Sequence, residues 1–160
     1  MGFAGEAVRL RPKRPPRTLS IPTIDFAELY HFGSRAPEPT AKLLGLQNQR
    51  VTVVGFMALL ERPVRGGFYL APYPSMSDES GGGRGDVPPT SVLVLPATAS
   101  GKEVTFLPGA LQISGILDVG NRESDGEIAT IRLLVDAKDL KQLRFARTRT
   151  TARTAQGRSR

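Results

Sequence analysis

The stretch QRVTVVGFMALL, residues 49–60, decides how the rest of the chain is read. Its first half alternates, with Val51 and Val53 on one side and Thr52 and Val54 on the other. Period-two alternation rich in β-branched residues is the pattern of a strand, and Gly55 in mid-strand marks a bulge or sharp bend. A bent strand is what a small barrel uses where it turns from one sheet face to the next.

Downstream, Phe68–Ala71 reads as a second strand, joined to the first through the turn Arg62–Gly67. Residues 72–89 are Gly/Pro-dense and polar, a long surface loop. Ser91–Leu95 is almost continuously apolar and reads as a central strand, and Val104–Leu107 as a short one. Ala110–Val119 alternates around Gly115 much as the first strand does around Gly55. The loop 120–126 reads as a turn, and Glu127–Val135 closes the set. The predicted core is Val51, Val53, Val92, Val94, Ile113, Leu117, Ile128 and Ile131, with Gly55 and Gly115 at bends or bulges.

Upstream, Asp25 is placed to cap a short helix over 24–30 that sets Phe26, Leu29 and Tyr30 on one face, with Gly33 as its stop. Pro37 and Pro39 hold the chain extended, and Leu43, Leu44 and Leu46 are expected to plug one end of the barrel. After the last strand, Asp136–Leu140 can open a short helix with Leu140 and Leu143 facing the body. The expectation is a mainly β fold, a small OB-like β-barrel of five to six strands with a short N-terminal helix. A β-sandwich of similar strand count is the alternative.

Charge is unevenly spread. The formal net charge of +7 comes from the ends of the chain. Residues 1–20 carry five Lys/Arg and one acid, and residues 144–160 carry six arginines and no acid. Residues 21–143 carry eleven basic and fourteen acidic side chains, so the body is mildly acidic. We therefore divide the chain into a basic extended arm (1–20), an OB-like barrel domain (21–143) and an Arg-rich tail (144–160) expected to be disordered unless a partner holds it.

Several chemistries are excluded or left without a signal. The chain has no cysteine and one histidine, His31, so disulfides, thiolate metal sites and multi-histidine metal sites are excluded. No apolar run approaches the roughly 18 residues needed to span a bilayer, and the first residues lack the apolar segment of a signal peptide. The acids Asp78 and Glu79, and Asp118, Glu123 and Asp125, lie beside Gly and Ser in predicted loops, where solvated surface charge accounts for them. His31 falls on the predicted helix face near Tyr30 and Phe32, which suits a structural histidine. GGGRG at 81–85 lacks the Gly-Lys-Ser/Thr ending of a phosphate loop, and the RGD at 84–86 is accounted for by the composition of a Gly-rich loop. No catalytic, cofactor or metal residues are assigned, and the expectation is a protein that is not an enzyme.

Binding is the class that remains. OB barrels bind single strands on aromatic platforms in a basic groove. The candidate residues are Tyr69 and Tyr73, with Arg62 and Arg65 close by in the turn, and Arg144, Arg147, Arg149 and Arg153 in the tail. The leading expectation is an accessory subunit that docks to a protein assembly through its barrel and arms. The alternative is a single-stranded nucleic-acid-binding OB protein, and the arginine tail could equally meet an anionic membrane surface.

The succession VTVVGFMALL, GGFYLAPYP, PPTSVLVLP and LQISGILDVG, then a closing strand ahead of DAKDL, resembles the bacterial family named domain of unknown function 3299. The likeness covers roughly residues 24–140. It implies an OB-type barrel and a place in the cell envelope, since the family is often exported or lipoprotein-associated, and it supplies no activity. Many such sequences carry adjacent cysteines after the second strand; here Ser75–Ser80 and a glycine run stand instead.

Overall fold

The computed structural model describes residues 20–33, 36–76, 87–98, 101–124, 126–141 and 143–146. The Gly-rich stretch with its RGD, the acids Asp78, Glu79 and Asp125, most of the N-terminal arm and the tail beyond Ala146 lie outside the described residues.

The elements in chain order are β1 (Tyr30–His31), β2 (Glu38–Pro39), α1 (Ala41–Gly45), β3 (Arg50–Met57), β4 (Phe68–Ala71), β5 (Val92–Pro96), β6 (Ala110–Ser124), β7 (Glu127–Val135), α2 (Ala137–Leu140) and β8 (Arg144–Phe145). β1 and β2 form a small antiparallel pair of their own. The main sheet runs β3-β4-β5-β7-β6-β8, and β3 also pairs with β6. That extra pairing closes five strands into a ring. All its contacts are antiparallel except β5 against β7, which is parallel. The fold is the expected mainly β, OB-like one.

The ring closes because β3 and β6 each change partner part-way along. β3 pairs with β6 from Arg50 to Phe56 and with β4 at Phe56 and Met57. β6 pairs with β3 from Ala110 to Ile116 and with β7 from Ile116 onward. Each change falls beside one of the two mid-strand glycines. A Cβ on Gly55 would lie 2.7 Å from the Ala71 carbonyl oxygen of β4, and one on Gly115 would lie 2.6 Å from the Leu134 carbonyl oxygen of β7. The glycines are therefore sites of close backbone approach at the corners of the ring. They are not bulges: the β3–β6 register runs unbroken through both, and the register shift lies further along β6, between Val119 and Arg122.

The main core fills the ring. Val51, Val53, Val92, Val94, Ile113, Leu117 and Ile131 are all buried in it, joined by Ile24, Leu29, Tyr30 and Leu43 from the N-terminal segment. Ile128 departs from expectation at 69% exposed. In β7 the main core takes Ile131, Leu133 and Val135, whereas Ile128 lies near the start of the strand on the side opposite buried Glu127 and Ala129 and faces outward.

The N-terminal segment is shorter in helix than expected. A single 3-10 turn, Phe26–Glu28, follows Asp25, and the chain then enters β1, which places His31 on a strand and exposed. Glu28 accepts the Asp25 amide at 3.0 Å and pairs with Lys42 of α1. The amide bond and then the lysine hold the Glu28 carboxyl below the usual range. Thr40 caps α1 by accepting the Leu43 amide at 3.1 Å. Leu43 is buried and Leu46 half-buried against the core, whereas Leu44, expected beside them, faces outward. Residues 22–24 run along the free edge of β3, with Ile24 N donating to Thr52 O (3.0 Å) and Thr52 N to Pro22 O (2.8 Å). An edge left open there would be a template for aggregation.

Three further expectations change. Val104–Leu107 forms no strand; the described residues between β5 and β6 carry no helix or strand. β6 continues to Ser124, so most of the stretch read as a turn at 120–126 is strand. Arg144 and Phe145, read as the start of a disordered tail, pair with Gln112 and Leu111 of β6. α2 forms where expected, and Leu140 and Leu143 pack half-buried against the core.

Replacing Gly55 or Gly115 by alanine should cost about 1–3 kcal/mol each, since a neighbouring carbonyl must give way. Urea unfolding of the two variants checks this. An unchanged midpoint in either would mean that the corner has room to spare.

Candidate functional site

OB proteins commonly present the outer face of their second and third strands, here β4 and β5, to an extended ligand. In this chain that face is not open. Tyr69 of β4 and Leu93 and Leu95 of β5 point outward, yet all three are buried in a second apolar cluster with Ala58, Val64 and Ala129. Val64 belongs to the connection between β3 and β4, and half-buried Val87, which precedes β5, packs on the same cluster. The chain has laid its own connections over the groove.

The polar groups of this face are engaged with one another. Tyr69, 7% exposed, donates its hydroxyl to Glu127 Oε2 at 2.8 Å. The register then runs from Tyr69 to Leu93 to Arg132 to Asp118 across β4, β5, β7 and β6. Arg132 is 2% exposed. Its Nε donates to Asp118 Oδ2 at 2.9 Å and its Nη1 to the Ala129 carbonyl at 2.6 Å. Nη2 also lies 2.9 Å from Asp118 Oδ2 and makes an ion pair there without an aligned hydrogen bond. Gln47, just after α1, closes the network, donating to Asp118 Oδ1 (3.3 Å) and accepting the Val119 amide (2.6 Å).

Sequence reading treated Asp118 as a solvated loop acid and passed over Arg132 and Glu127. A signal was there: a single arginine inside the apolar run of β7 and a single aspartate inside that of β6. Charges centred in apolar strands are seldom buried unless paired.

The predicted binding residues separate into groups. Arg62 and Arg65 are exposed on the β3–β4 connection, on either side of buried Val64. Tyr73 is exposed just after β4. A hydrogen bond from Leu59 N to Ser75 O (3.0 Å) and a bridge between Leu59 and Met76 tie these two segments together. Together they carry three exposed apolar residues, Leu59, Tyr73 and Met76, the last at 70%, which make up an apolar strip. Tyr69 is not part of this strip, because its ring lies beneath the connection and its hydroxyl is on Glu127. Arg144 is exposed on β8, at the edge of β6, a strand that does not pair with β4. Arg147, Arg149 and Arg153 lie outside the described residues.

Tyr30, Tyr69, Pro88, Ser91 and Ile128 line a hollow of about 210 Å³. Burial pushes the Tyr30 hydroxyl up from its ordinary range, and a hydrogen bond with the Thr130 side chain opposes the shift. Among the described residues, no three His, Cys, Asp or Glu side chains come together as a metal site would need. No described helix is long and apolar enough to cross a membrane.

No family model matches the sequence, and no curated protein does. Among solved structures, the chain is similar to the crystal structure of a DUF3299 family protein from Pseudomonas aeruginosa. The identity is 19% and the TM-score 0.44, over 72% of this chain and 92% of that one.

Two outcomes follow from the buried groups. Asp118→Ala strands the buried Arg132 guanidinium and should cost about 3–5 kcal/mol in urea unfolding. The raised Tyr30 makes the folded state hold its proton longer than the unfolded state does. Its contribution is therefore fully present below the ordinary tyrosine pKa of about 10 and lost as pH rises through the folded-state value. Thermal unfolding from pH 8 to 11 should show this loss, and Tyr30→Phe should reduce it.

Proposed function

We propose that this chain is a non-enzymatic docking module whose partner is a protein, bound on the strip of Leu59, Tyr73 and Met76 with Arg62 and Arg65 on its flank. One observation carries the reading: the chain covers its own ligand-type groove and leaves an apolar strip with flanking arginines on the outside of the cover. Tyr, Met and Arg are enriched at protein contacts, where exposed apolar side chains cluster. The covered groove counts against an oligonucleotide lying across β4 and β5. A base would find no open ring at Tyr69, whose hydroxyl is held by the buried Glu127 carboxylate.

A second reading keeps nucleic acid as a partner of the chain ends alone, favoured by the six arginines of residues 144–160. One experiment separates the two: capture of partners by the full chain, with and without nuclease, repeated with Tyr73→Ala/Met76→Asp and with residues 144–160 removed. The docking reading expects a nuclease-resistant protein partner whose affinity falls at least about 30-fold in the double variant, as for a contact hot spot. Nuclease-sensitive capture, with single-strand binding whose log affinity loses about 4 of its slope against log salt on tail removal, would replace it by the second reading.

A further inference from the structure

We propose that the barrel end under residues 101–109 is a binding site for a single amphiphilic anion, an apolar chain with one carboxylate-type head. This site does not rest on the docking reading; the two share one residue, Leu59, which also walls the smaller of the two clefts at this end.

Residues 101–109 form a strap between β5 and β6. Among the described residues it makes no backbone hydrogen bond. What holds it down is Val104 and Leu107, half-buried against the main core. On one side of the strap is a cleft of about 450 Å³, walled by Val104, Leu107, Ala137, Leu140 and Leu143. On the other is a second cleft of about 340 Å³, walled by Leu59, Leu60, Pro63 and Phe106 among others. Glu103, Val104 and Thr105 line both, so the strap is the partition between them.

The charges at the larger cleft favour an anion. Lys102 and Lys141 both line it and are exposed, and neither is in an ion pair among the described residues. Glu103 is the one acid in the lining. A lysine can lay its stem along apolar surface and carry its ammonium to the rim. The cleft thus offers an apolar floor and two cations at its mouth, with a volume inside the range of small-molecule sites. Each methylene buried there is worth about 0.8 kcal/mol, and a carboxylate would find charged donors at the rim. A segment with few buried contacts and no backbone hydrogen bonds opens at low free energy. Opening would join the two clefts across the mouth of the barrel, a position where small barrels hold ligands.

The probe is decanoate, titrated into the full chain below its micelle concentration and followed by calorimetry and by hydrogen exchange of the strap amides. Saturable one-site binding with slowed exchange at 102–107 is expected, and decanol should bind roughly tenfold more weakly because it lacks the charged head. Lys102→Glu/Lys141→Glu changes two exposed residues and should weaken decanoate at least about tenfold with the fold intact. Ala137→Phe should fill the cleft and abolish binding; if that variant does not fold, the lysine pair still decides. Decyl phosphate binding equally well would support the site and assign the head as any compact anion. Failure of decanoate to saturate, indifference to the lysine changes, or binding only to phosphatidylglycerol vesicles would each overturn the proposal.

Discussion

Everything in this fold depends on two places where one backbone passes close beside another. At Gly55 the carbonyl of β4, and at Gly115 the carbonyl of β7, comes so near that a methyl group would not fit. Close approach there lets β3 and β6 leave one neighbour for the next without a break in pairing. A five-stranded ring with a filled interior needs strongly coiled strands. Glycine at the two corners provides the coil with no extra residue in the ladder.

A second consequence of closure is that β4 and β5 are buried on both faces. The inner face packs in the ring, and the outer one under the β3–β4 connection. Strands buried on two sides lose their alternation and read as continuous apolar runs, as Val92–Leu95 does. Arg132 of β7 is a charge buried beside this layer, and its position is tolerable because Asp118 lies directly opposite in register and Gln47 holds the aspartate in turn. A buried pair of this kind adds little net stability over apolar packing. What it does is penalise any slip of β7 against β6, because a one-residue shift would put the arginine opposite an apolar neighbour.

The barrel was legible in the sequence because alternation and mid-strand glycines are local signals. Strand ends were less so. The turn residues Gly120 and Asn121 lie within β6, where the register shift absorbs them. Ile128 was placed in the core on strand membership alone, and parity settled otherwise. The outer cover was invisible for a different reason: nothing local in Pro63-Val64-Arg65 says that it folds back over Tyr69. That contact is between segments whose approach only closure of the ring defines. Tyr69 and Tyr73, alike in sequence context, therefore differ in fate, one under the cover and one on it.

The single parallel pairing, β5 with β7, has a meaning for how the chain reaches its structure. The two strands are separated by the strap and all of β6, so the ring cannot shut by adding neighbours in order. As the chain is made, β5 has its hairpin partner β4 on one side and nothing on the other until residue 135 has emerged. Long-range and parallel pairings form slowly, because chain closure must be met before contact rewards it. During that interval Val92–Leu95 is an open apolar edge, the kind of segment that joins other chains. β7, the last strand of the ring, is thus also the one that protects β5, and a chain that stops before Glu127 would be sticky rather than merely incomplete.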